Sequence, residues 1–136
     1  MTVEKSLDYV TLAEFRYRIR RFLRFSEDAA RTAGLEPQQH QLLLTVRGLP
    51  SGAEPTVGEL AERLQIRHHS VVELIDRLEE RGLVARHRSE RDRRNVLVAL
   101  TGPGEQVLEA LTVRHRAELE SEAPELLRVL TSLLSR

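Results

Sequence analysis

The sequence predicts a mostly helical α+β fold that contains one short β-hairpin. Apolar residues recur at helical spacing near both ends of the chain and through much of its middle. The spacing changes to strand-like runs over residues 83–88 and 95–100, which flank a charged segment at 89–94. Helices on both sides of one hairpin indicate a single mixed domain. The residues of the second run that are predicted to share one face are Val96, Val98 and Leu100.

The composition is that of a folded protein without thiol chemistry. The 136 residues are enough for one domain with a core, and 40% of them are hydrophobic. The absence of cysteine excludes disulfides, thiolate metal sites and thiol redox sensing. No apolar run reaches the roughly 20 residues of a membrane span, and the opening residues MTVEKSLDYV do not resemble a secretory signal. We therefore expect one cytoplasmic domain over residues 1–136, with no membrane partner.

Two helices are predicted in the first third of the chain. The first covers about residues 7–33, and Gly34 is its expected stop. The second covers about residues 37–47, with proline in its first turn and Gly48 beyond its end. The segment PSGAEP at 50–55 is then predicted to form a loop.

A pair of helices joined by a tight turn is predicted over residues 56–82. Thr56 and Glu59 have the spacing of a capping box at the start of the first helix. Helices that cross steeply need a small residue where they meet, and Ala61 fits that need. Many such turns contain glycine, whereas this one contains Gln65. The apolar residues expected to point inward are Leu60, Leu64, Ile66, Val71, Leu74, Ile75 and Leu78.

The C-terminal segment is dense in leucine. Thr101 is predicted to cap a helix that ends before Pro124, and a last helix is predicted over residues 125–134. On a monomer its leucines would form an aggregation-prone patch. They could pack on the chain's own first helix or on a second chain, and we favour the second chain. These leucines are Leu126, Leu127, Leu130, Leu133 and Leu134.

Basic and acidic residues are concentrated in different segments of the chain, although the net charge is zero. A neutral chain argues against a nucleic-acid partner, because DNA-binding domains are often strongly basic. However, residues 81–94 contain six arginines and two acids, and residues 16–24 contain five arginines and no acid. Residues 54–80 have the opposite balance, with seven acids and three arginines. The charge argument for DNA is therefore local.

A helix-turn-helix followed at once by an arginine-rich hairpin has the element order of a winged helix-turn-helix. The segments TVGELAERLQIRHHSVVELIDRLEERGLVARHR and DRRNVLVALTGPG resemble the MarR family of transcription regulators. The flanking helices have the expected lengths, so the resemblance covers nearly the whole chain. The residues that carry it are Arg77, Leu78, Arg81, Gly82, Leu83 and Val84 in one run and Asp92, Arg94, Leu97, Leu100 and Thr101 in the other.

The resemblance implies a homodimer that binds double-stranded DNA at a pseudo-palindromic operator, with repression favoured over activation. Two recognition helices would enter successive major grooves, and two wings would reach the adjacent minor grooves. Residues 1–35 and 102–136 would then be dimerisation helices, and residues 36–101 would be the DNA-binding lobe.

The recognition helix carries the first set of predicted DNA contacts. Side chains at its start can meet base edges or phosphates, and those one turn later lie beside them. Glu73 could accept a hydrogen bond from cytosine or could face solvent beside Arg77, and we favour solvent. The full set is Arg67, His68, His69, Ser70, Val72 and Glu73.

The hairpin carries the second set. Arg94 fits the narrow, negative minor groove of A·T-rich DNA, and Asp92 is close enough in sequence to orient its guanidinium group. The alternative is that this pair only stabilises the turn. Arg86 and Arg88 are expected to contact phosphates or to lie on a solvated face.

The resemblance also implies that a small aromatic anion releases the protein from DNA. Phe15, Arg16 and Tyr17 on the first helix are the candidate ligand contacts, and an aromatic core beside a solvated arginine face is the alternative. A winged interaction module without DNA binding is a rival that the neutral charge and Glu73 permit.

No enzyme motif is present. The sequence lacks HExxH, G-x-S-x-G and a glycine-rich phosphate loop, so we expect neither an enzyme nor a cofactor. His68 and His69 are adjacent and would diverge by about 100° on a helix, which does not favour a shared metal. A metal-responsive regulator would need ligands that converge across a dimer, and we expect no metal site.

Overall fold

The computed structural model describes residues 8–135, and the predicted mostly helical α+β fold with a winged helix-turn-helix is confirmed. Residues 1–7 and 136 lie outside the described range, and so do the predicted helix start at Leu7 and the outer ends of the predicted dimerisation segments. The elements in chain order are α1 (Tyr9–Thr32), α2 (Pro37–Arg47), α3 (Val57–Leu64), α4 (His68–Glu80), β1 (Val84–Arg88), β2 (Val96–Leu100) and α5 (Gly102–Leu134).

Helix ends follow from local capping chemistry. The side chain of Asp8 caps α1 by accepting a hydrogen bond from the backbone N–H of Thr11 at 2.9 Å. At the other end Gly34 has a φ of +85°, and the N–H of Leu35 donates to the carbonyl of Ala30 at 2.9 Å. The predicted glycine stop is therefore confirmed.

The predicted capping box of α3 forms only in half. The Thr56 hydroxyl accepts a hydrogen bond from the Glu59 N–H at 3.1 Å, as expected. The Glu59 carboxylate does not return a bond to Thr56, because it pairs with Arg63 at 2.9 Å one turn along the helix. The backbone N–H of Thr56 donates to the carbonyl of Glu54 instead.

Gln65 makes the tight turn between α3 and α4. Its φ of 56° and ψ of 45° place it in the left-handed region, which glycine normally occupies at this kind of turn. A non-glycine residue there costs about 1 kcal/mol. Part of this cost is offset because its side-chain amide donates to the carbonyl of Glu62 at 2.7 Å.

The core lies where α1, α2 and α5 meet the helix pair and the hairpin. Leu60, Val71, Ile75 and Leu78 of the pair have no solvent exposure, and Ala61 is 6% exposed at the helix crossing. Leu64, Ile66 and Leu74 are only partly buried at its edge. The other buried members of the cluster are Ala29, Ala30, Leu35, Leu42, Leu43, Leu83, Val84, Val98, Leu108 and Leu111.

The hairpin pairs β1 and β2 in antiparallel register, from Val84 opposite Leu100 to Arg88 opposite Val96. The loop before α3 joins it, because the N–H of Val98 donates to the carbonyl of Pro55 at 3.1 Å. Val98 is buried, but Val96, which was predicted to share its face, is exposed at the outer end of the strand. Both faces of the middle of β2 are covered, since Leu97 is buried as well.

The predicted break at Pro124 is wrong, because α5 runs as one helix of 33 residues through it. Proline has no N–H to offer the carbonyl one turn earlier, which normally weakens a helix. Here α1 packs along α5 and holds it in place, with Arg18 bonded to Glu122 next to the proline. The predicted Thr101 cap is confirmed, with its hydroxyl accepting from the Gly104 N–H at 3.2 Å. None of the helices within residues 8–135 combines the length and apolarity that a membrane crossing requires.

Candidate nucleic-acid interface

The start of α4 presents polar groups that the protein leaves open. Arg67 is the N-cap residue, but an arginine side chain cannot accept hydrogen bonds from the first turn, and none is formed. Within residues 8–135, the backbone N–H groups of His68 and His69 have no hydrogen-bond partner. Unpaired N–H groups at the positive end of a helix dipole suit an anion such as a phosphate.

The side chains predicted to lie in the major groove share this exposed end of α4. Arg67, His68 and His69 are exposed, Ser70 is half-buried, and the row continues with exposed Val72 and Glu73. No ion pair between Glu73 and Arg77 is present in the part of the chain that the structure describes. These side chains are therefore accessible to a partner at or near the start of α4.

Ser89 organises the loop of the wing, by which we mean β1, β2 and residues 89–95. Its side chain is buried, donates to the Glu54 carboxylate at 2.9 Å and accepts from the N–H groups of Arg91 and Asp92 at 3.1 and 3.2 Å. The N–H of Ser89 also donates to the carbonyl of Asn95 across the loop. These bonds fix the loop backbone before any partner arrives. This role of Ser89 was not predicted from the sequence.

Asp92 holds Arg94 at the tip of the wing, as predicted. Both oxygens of the carboxylate accept from the guanidinium group at 3.0 Å, and the Arg94 N–H donates to the same carboxylate at 3.1 Å. The hydrogen bonds from the Arg94 side chain and then from its N–H lower the pKa of Asp92. The Arg94 side chain is nevertheless 89% exposed. An oriented, fully charged arginine therefore projects from a rigid loop.

Arg86 and Arg88 are held by the protein itself. The guanidinium group of Arg86 pairs with Asp76 and Glu79 on α4, and the hydrogen bond with Asp76 is the main cause that raises its pKa. Arg88 donates to the carbonyl of Arg93 at 3.0 Å within the wing. The predicted phosphate contact of Arg86 would have to compete with two carboxylates. The ion pairs of Arg86 could not be predicted from the sequence, because the two carboxylates lie on α4 and not on the strand that carries Arg86.

The predicted ligand residues do not line the apolar cavity between α1, α2 and α5. Phe15 is half-buried, while Arg16 and Tyr17 are exposed, and Tyr17 stacks with Arg18 and Arg21. The cavity residues of α1 begin at Phe22, seven residues or about 10 Å beyond Phe15 at 1.5 Å per residue. A cavity of about 600 Å³ forms there, between α1, α2 and α5. Its lining includes Phe22, Leu23, Ser26, His40, Gln41, Leu44, Thr112, His115, Arg116 and Leu119.

Metal-ligand types do not converge in the described structure. No three side chains of histidine, cysteine, aspartate or glutamate come together within residues 8–135 in a way that could hold an ion. The exposed His68 and His69 follow one another on α4, and the described structure brings no acid to them.

Comparison with known proteins agrees with this architecture. A family model described as the MarR family matches residues 33–95, which include α2, the helix pair, β1 and the wing loop. A protein of Thauera aromatica named for regulation of the hcr operon is 30% identical over 93 residues, which are 68% of this chain and 54% of that protein. The HTH-type transcriptional repressor MdtR of Bacillus subtilis is 31% identical over 84 residues, or 62% and 52% of the two chains. The chain thus spans about half the length of the curated relatives it matches.

Solved structures extend the likeness of fold to the whole chain. AbsC, a MarR family transcriptional regulator from Streptomyces coelicolor, has a TM-score of 0.74 at 21% identity and covers 99% of this chain and 94% of its own. An S. aureus MepR mutant bound to an oligodeoxyribonucleotide has a TM-score of 0.67 at 21% identity, with 89% and 96% covered. CouR from Rhodococcus jostii, bound to p-coumaroyl-CoA, has a TM-score of 0.71 at 22% identity, with 96% and 95% covered. Over residues 33–95 the chain matches the MarR family, and its fold as a whole is similar to that of MarR family transcription regulators of known structure.

Proposed function

We propose that this chain is a homodimeric, sequence-specific DNA-binding regulator that represses transcription from a pseudo-palindromic operator. The observation that carries the proposal is Arg94, which projects from a rigid wing while Asp92 fixes the direction of its guanidinium group. An arginine presented in this way suits the narrow minor groove of A·T-rich DNA. The named repressor among the relatives and the neighbour solved with an oligonucleotide support the proposal. Such a regulator works in the cytoplasm, where chromosomal DNA lies.

In this proposal residues 36–101 form the DNA-binding lobe. The open N-terminus of α4 contacts phosphate, and Arg67, His68, His69 and Ser70 lie in the major groove. Arg88 and Arg94 make the DNA contacts of the wing. We leave Arg86 out of the contact surface, because its charge is already balanced by two acids. Glu73 is assigned to solvent at the edge of the helix.

The same proposal assigns residues 1–35 and 102–136 to a dimer interface. Leu127 and Leu134 near the end of α5 are 66% and 79% exposed, and Tyr9 and Val10 at the start of α1 are 72% and 82% exposed. Exposed large apolar residues at the ends of two long packed helices are typical of a surface that a partner covers. A second copy of the chain is the partner that a palindromic operator requires.

Removal of residues 125–136 is expected to give monomers or insoluble protein, because it deletes the exposed leucines of α5 together with buried Val129. Sedimentation velocity of the truncated and intact chains measures this. The intact chain should sediment as a dimer at micromolar concentration. A well-folded monomer of the intact chain under those conditions would overturn the dimer.

DNA binding is tested by selecting bound fragments from the source genome and then measuring their affinity against a scrambled duplex at several salt concentrations. The expected result is enrichment of an inverted repeat, two chains per duplex, and an affinity that falls steeply as salt rises. If no fragment is enriched and duplex binding shows no dependence on salt, the chain is an interaction module that keeps the winged fold without DNA binding.

The cavity between α1, α2 and α5 is the proposed site of an effector that releases DNA. It adjoins α2, which contacts α3, α4 and β2, so a ligand there would press on the elements that carry the DNA contacts. Its walls are largely apolar, with aromatic Phe22 among them. CouR, whose structure contains a bound p-coumaroyl thioester, supports a small-molecule role for this architecture. This site replaces Phe15, Arg16 and Tyr17 as the candidate ligand contacts.

A further inference from the structure

Two histidines from different helices face each other in this cavity. The ring centroids of His40 on α2 and His115 on α5 lie 4.9 Å apart, with 47° between the ring planes. The edges of Phe22 and Phe25 of α1 surround His115 at centroid distances of 5.9 and 5.4 Å. His40 is only 2% exposed. Two imidazoles this close and this enclosed do not both carry a charge, since each disfavours the charged form of the other.

The hydrogen bonds of His115 fix its tautomer and use both of its nitrogens. Nδ1 lies 2.7 Å from the carbonyl oxygen of Leu111, which can only accept, so Nδ1 carries the proton. Nε2 lies 2.7 Å from the hydroxyl of buried Ser26 and therefore accepts from it. His115 has no nitrogen left for a ligand.

His40 is arranged differently. Its Nδ1 lies 3.4 Å from the side-chain amide nitrogen of Gln41, a long contact in which the amide donates when the neutral ring carries its proton on Nε2. Within residues 8–135 that Nε2 has no hydrogen-bond partner, yet no fully buried side-chain nitrogen there is unpaired. Nε2 is therefore accessible, and the ring lines the cavity. His40 offers an N–H donor to whatever occupies the cavity.

The charged groups of the cavity lie at its exposed edge. No charged residue of α1 or α2 lines it, and α5 contributes only Arg116 and Glu120, both exposed. Arg116 forms no ion pair with the residues that the structure describes. A buried anion without a buried cation is strongly disfavoured. His40 is a titratable group that is buried, lines the cavity and has a nitrogen open to a ligand.

We propose that the cavity binds an anionic ligand, of the carboxylate class with an apolar body, together with one proton that is taken up by His40. This inference rests on the proposed function only in treating the cavity as the effector site. The incoming proton binds Nδ1 of His40, and the Gln41 amide turns so that its oxygen accepts from that atom. Nε2–H then donates to the carboxylate. One proton and one anion enter together, so the cavity gains no net charge.

The direction in which anion affinity changes with pH follows from the pKa of His40 in the protein without ligand. Burial, and then the neighbouring His115, lower the pKa of His40 below its ordinary value of 6.5. The empty protein therefore loses stability as pH falls through 6.5, because the unfolded chain takes up the proton first. A bound anion raises the pKa of His40 again. Affinity for the anion thus increases as pH falls, by up to about tenfold per pH unit between the two pKa values.

The test uses the full chain without DNA and two probes, benzoate and its neutral isostere benzamide. Calorimetric titrations from about pH 6 to pH 8, in buffers with different heats of ionisation, give the affinity and the number of protons taken up. Benzoate is expected to bind more tightly as pH falls and to take up close to one proton. Benzamide is expected to bind with no proton uptake and no pH dependence.

His40→Gln keeps an amide donor but cannot titrate. This variant is expected to abolish the proton uptake and to lower the affinity for benzoate at low pH, while benzamide binding is unchanged. The matched control His87→Gln removes an exposed histidine of β1 and should leave every quantity unchanged. If His40→Gln does not fold, the NMR titration of the His40 ring in the native protein, with and without benzoate, reports the same proton.

Three results would overturn the inference. They are benzoate binding without proton uptake, proton uptake that persists in His40→Gln, and no benzoate binding at millimolar concentration near pH 6. None of them depends on DNA, so a failure here is distinguishable from a failure of the proposed DNA binding.

Discussion

Replacing Gly104 by alanine is expected to remove most of the stability of the protein. A Cβ at this position would lie 2.0 Å from the carbonyl oxygen of Leu83 and 3.1 Å from its carbonyl carbon. These are backbone atoms, and Thr101 holds them, because its N–H donates to the Leu83 carbonyl and its hydroxyl donates to the Gly82 carbonyl. Neither α5 nor the start of β1 can move without breaking that junction. Overpacking against a fixed backbone costs about 3 kcal/mol or more.

Gly102→Ala is the matched control, in the same first turn of α5. A Cβ there meets nothing within 4 Å. Alanine in a helix is about 0.5–1 kcal/mol more favourable than glycine, so this variant should be as stable as the parent or slightly more stable. Urea unfolding followed by circular dichroism compares the two variants. Equal stabilities for Gly104→Ala and Gly102→Ala would mean that the junction of α5 with Leu83 is not as close as described.

Arg94→Ala is expected to lower DNA affinity more than any other single substitution in the wing. It removes a charge that Asp92 has already oriented, so little conformational entropy is lost when Arg94 enters a groove. Affinity should fall about tenfold at low salt, and the slope of log affinity against log salt should shrink by about one. Because groove width is sensed more than base identity, operator and unrelated A·T-rich duplexes should lose affinity alike.

Two control variants separate charge from orientation. Asp92→Asn keeps the charge of Arg94 but weakens the paired hydrogen bonds that aim it, so affinity should fall less than in Arg94→Ala with the salt slope nearly retained. Arg47→Ala removes another exposed, acid-paired arginine, at the end of α2 and outside the proposed DNA contacts. Its affinity and salt slope should match those of the parent protein. Loss of binding in Arg47→Ala equal to that in Arg94→Ala would point to general charge and not to the wing.

The features that the sequence predicted well are those made by residues close together in the chain. The stop at Gly34, the cap at Thr101 and the pairing of Asp92 with Arg94 all join residues at most five positions apart. Their geometry depends on backbone propensities and short hydrogen bonds, which local sequence determines. The helix pair was also predictable, because its buried residues repeat at helical spacing.

The features that were missed depend on contacts between distant segments. Ser89 is joined to Glu54, 35 positions earlier, and Arg86 is joined to Asp76 on another element. The only local signal for Ser89 was a small hydroxyl residue at the first position of a charged loop, which is typical of a turn. The cavity could not be located because three helices form it, and the proline at 124 did not break α5 because α1 supports that helix.

The proposal that α4 contacts the major groove and the wing contacts the minor groove is tested most directly by one set of binding measurements. Parent protein, Arg94→Ala and His69→Ala are titrated into the selected operator and into an unrelated A·T-rich duplex at several salt concentrations. The account predicts that Arg94→Ala weakens binding to both duplexes and lowers the salt slope by about one. It predicts that His69→Ala lowers the affinity for the operator about tenfold or more, because the variant lacks a base contact. The affinity for the unrelated duplex should stay nearly unchanged. Unchanged affinity and salt slope in Arg94→Ala, or an unchanged operator preference in His69→Ala, would contradict it.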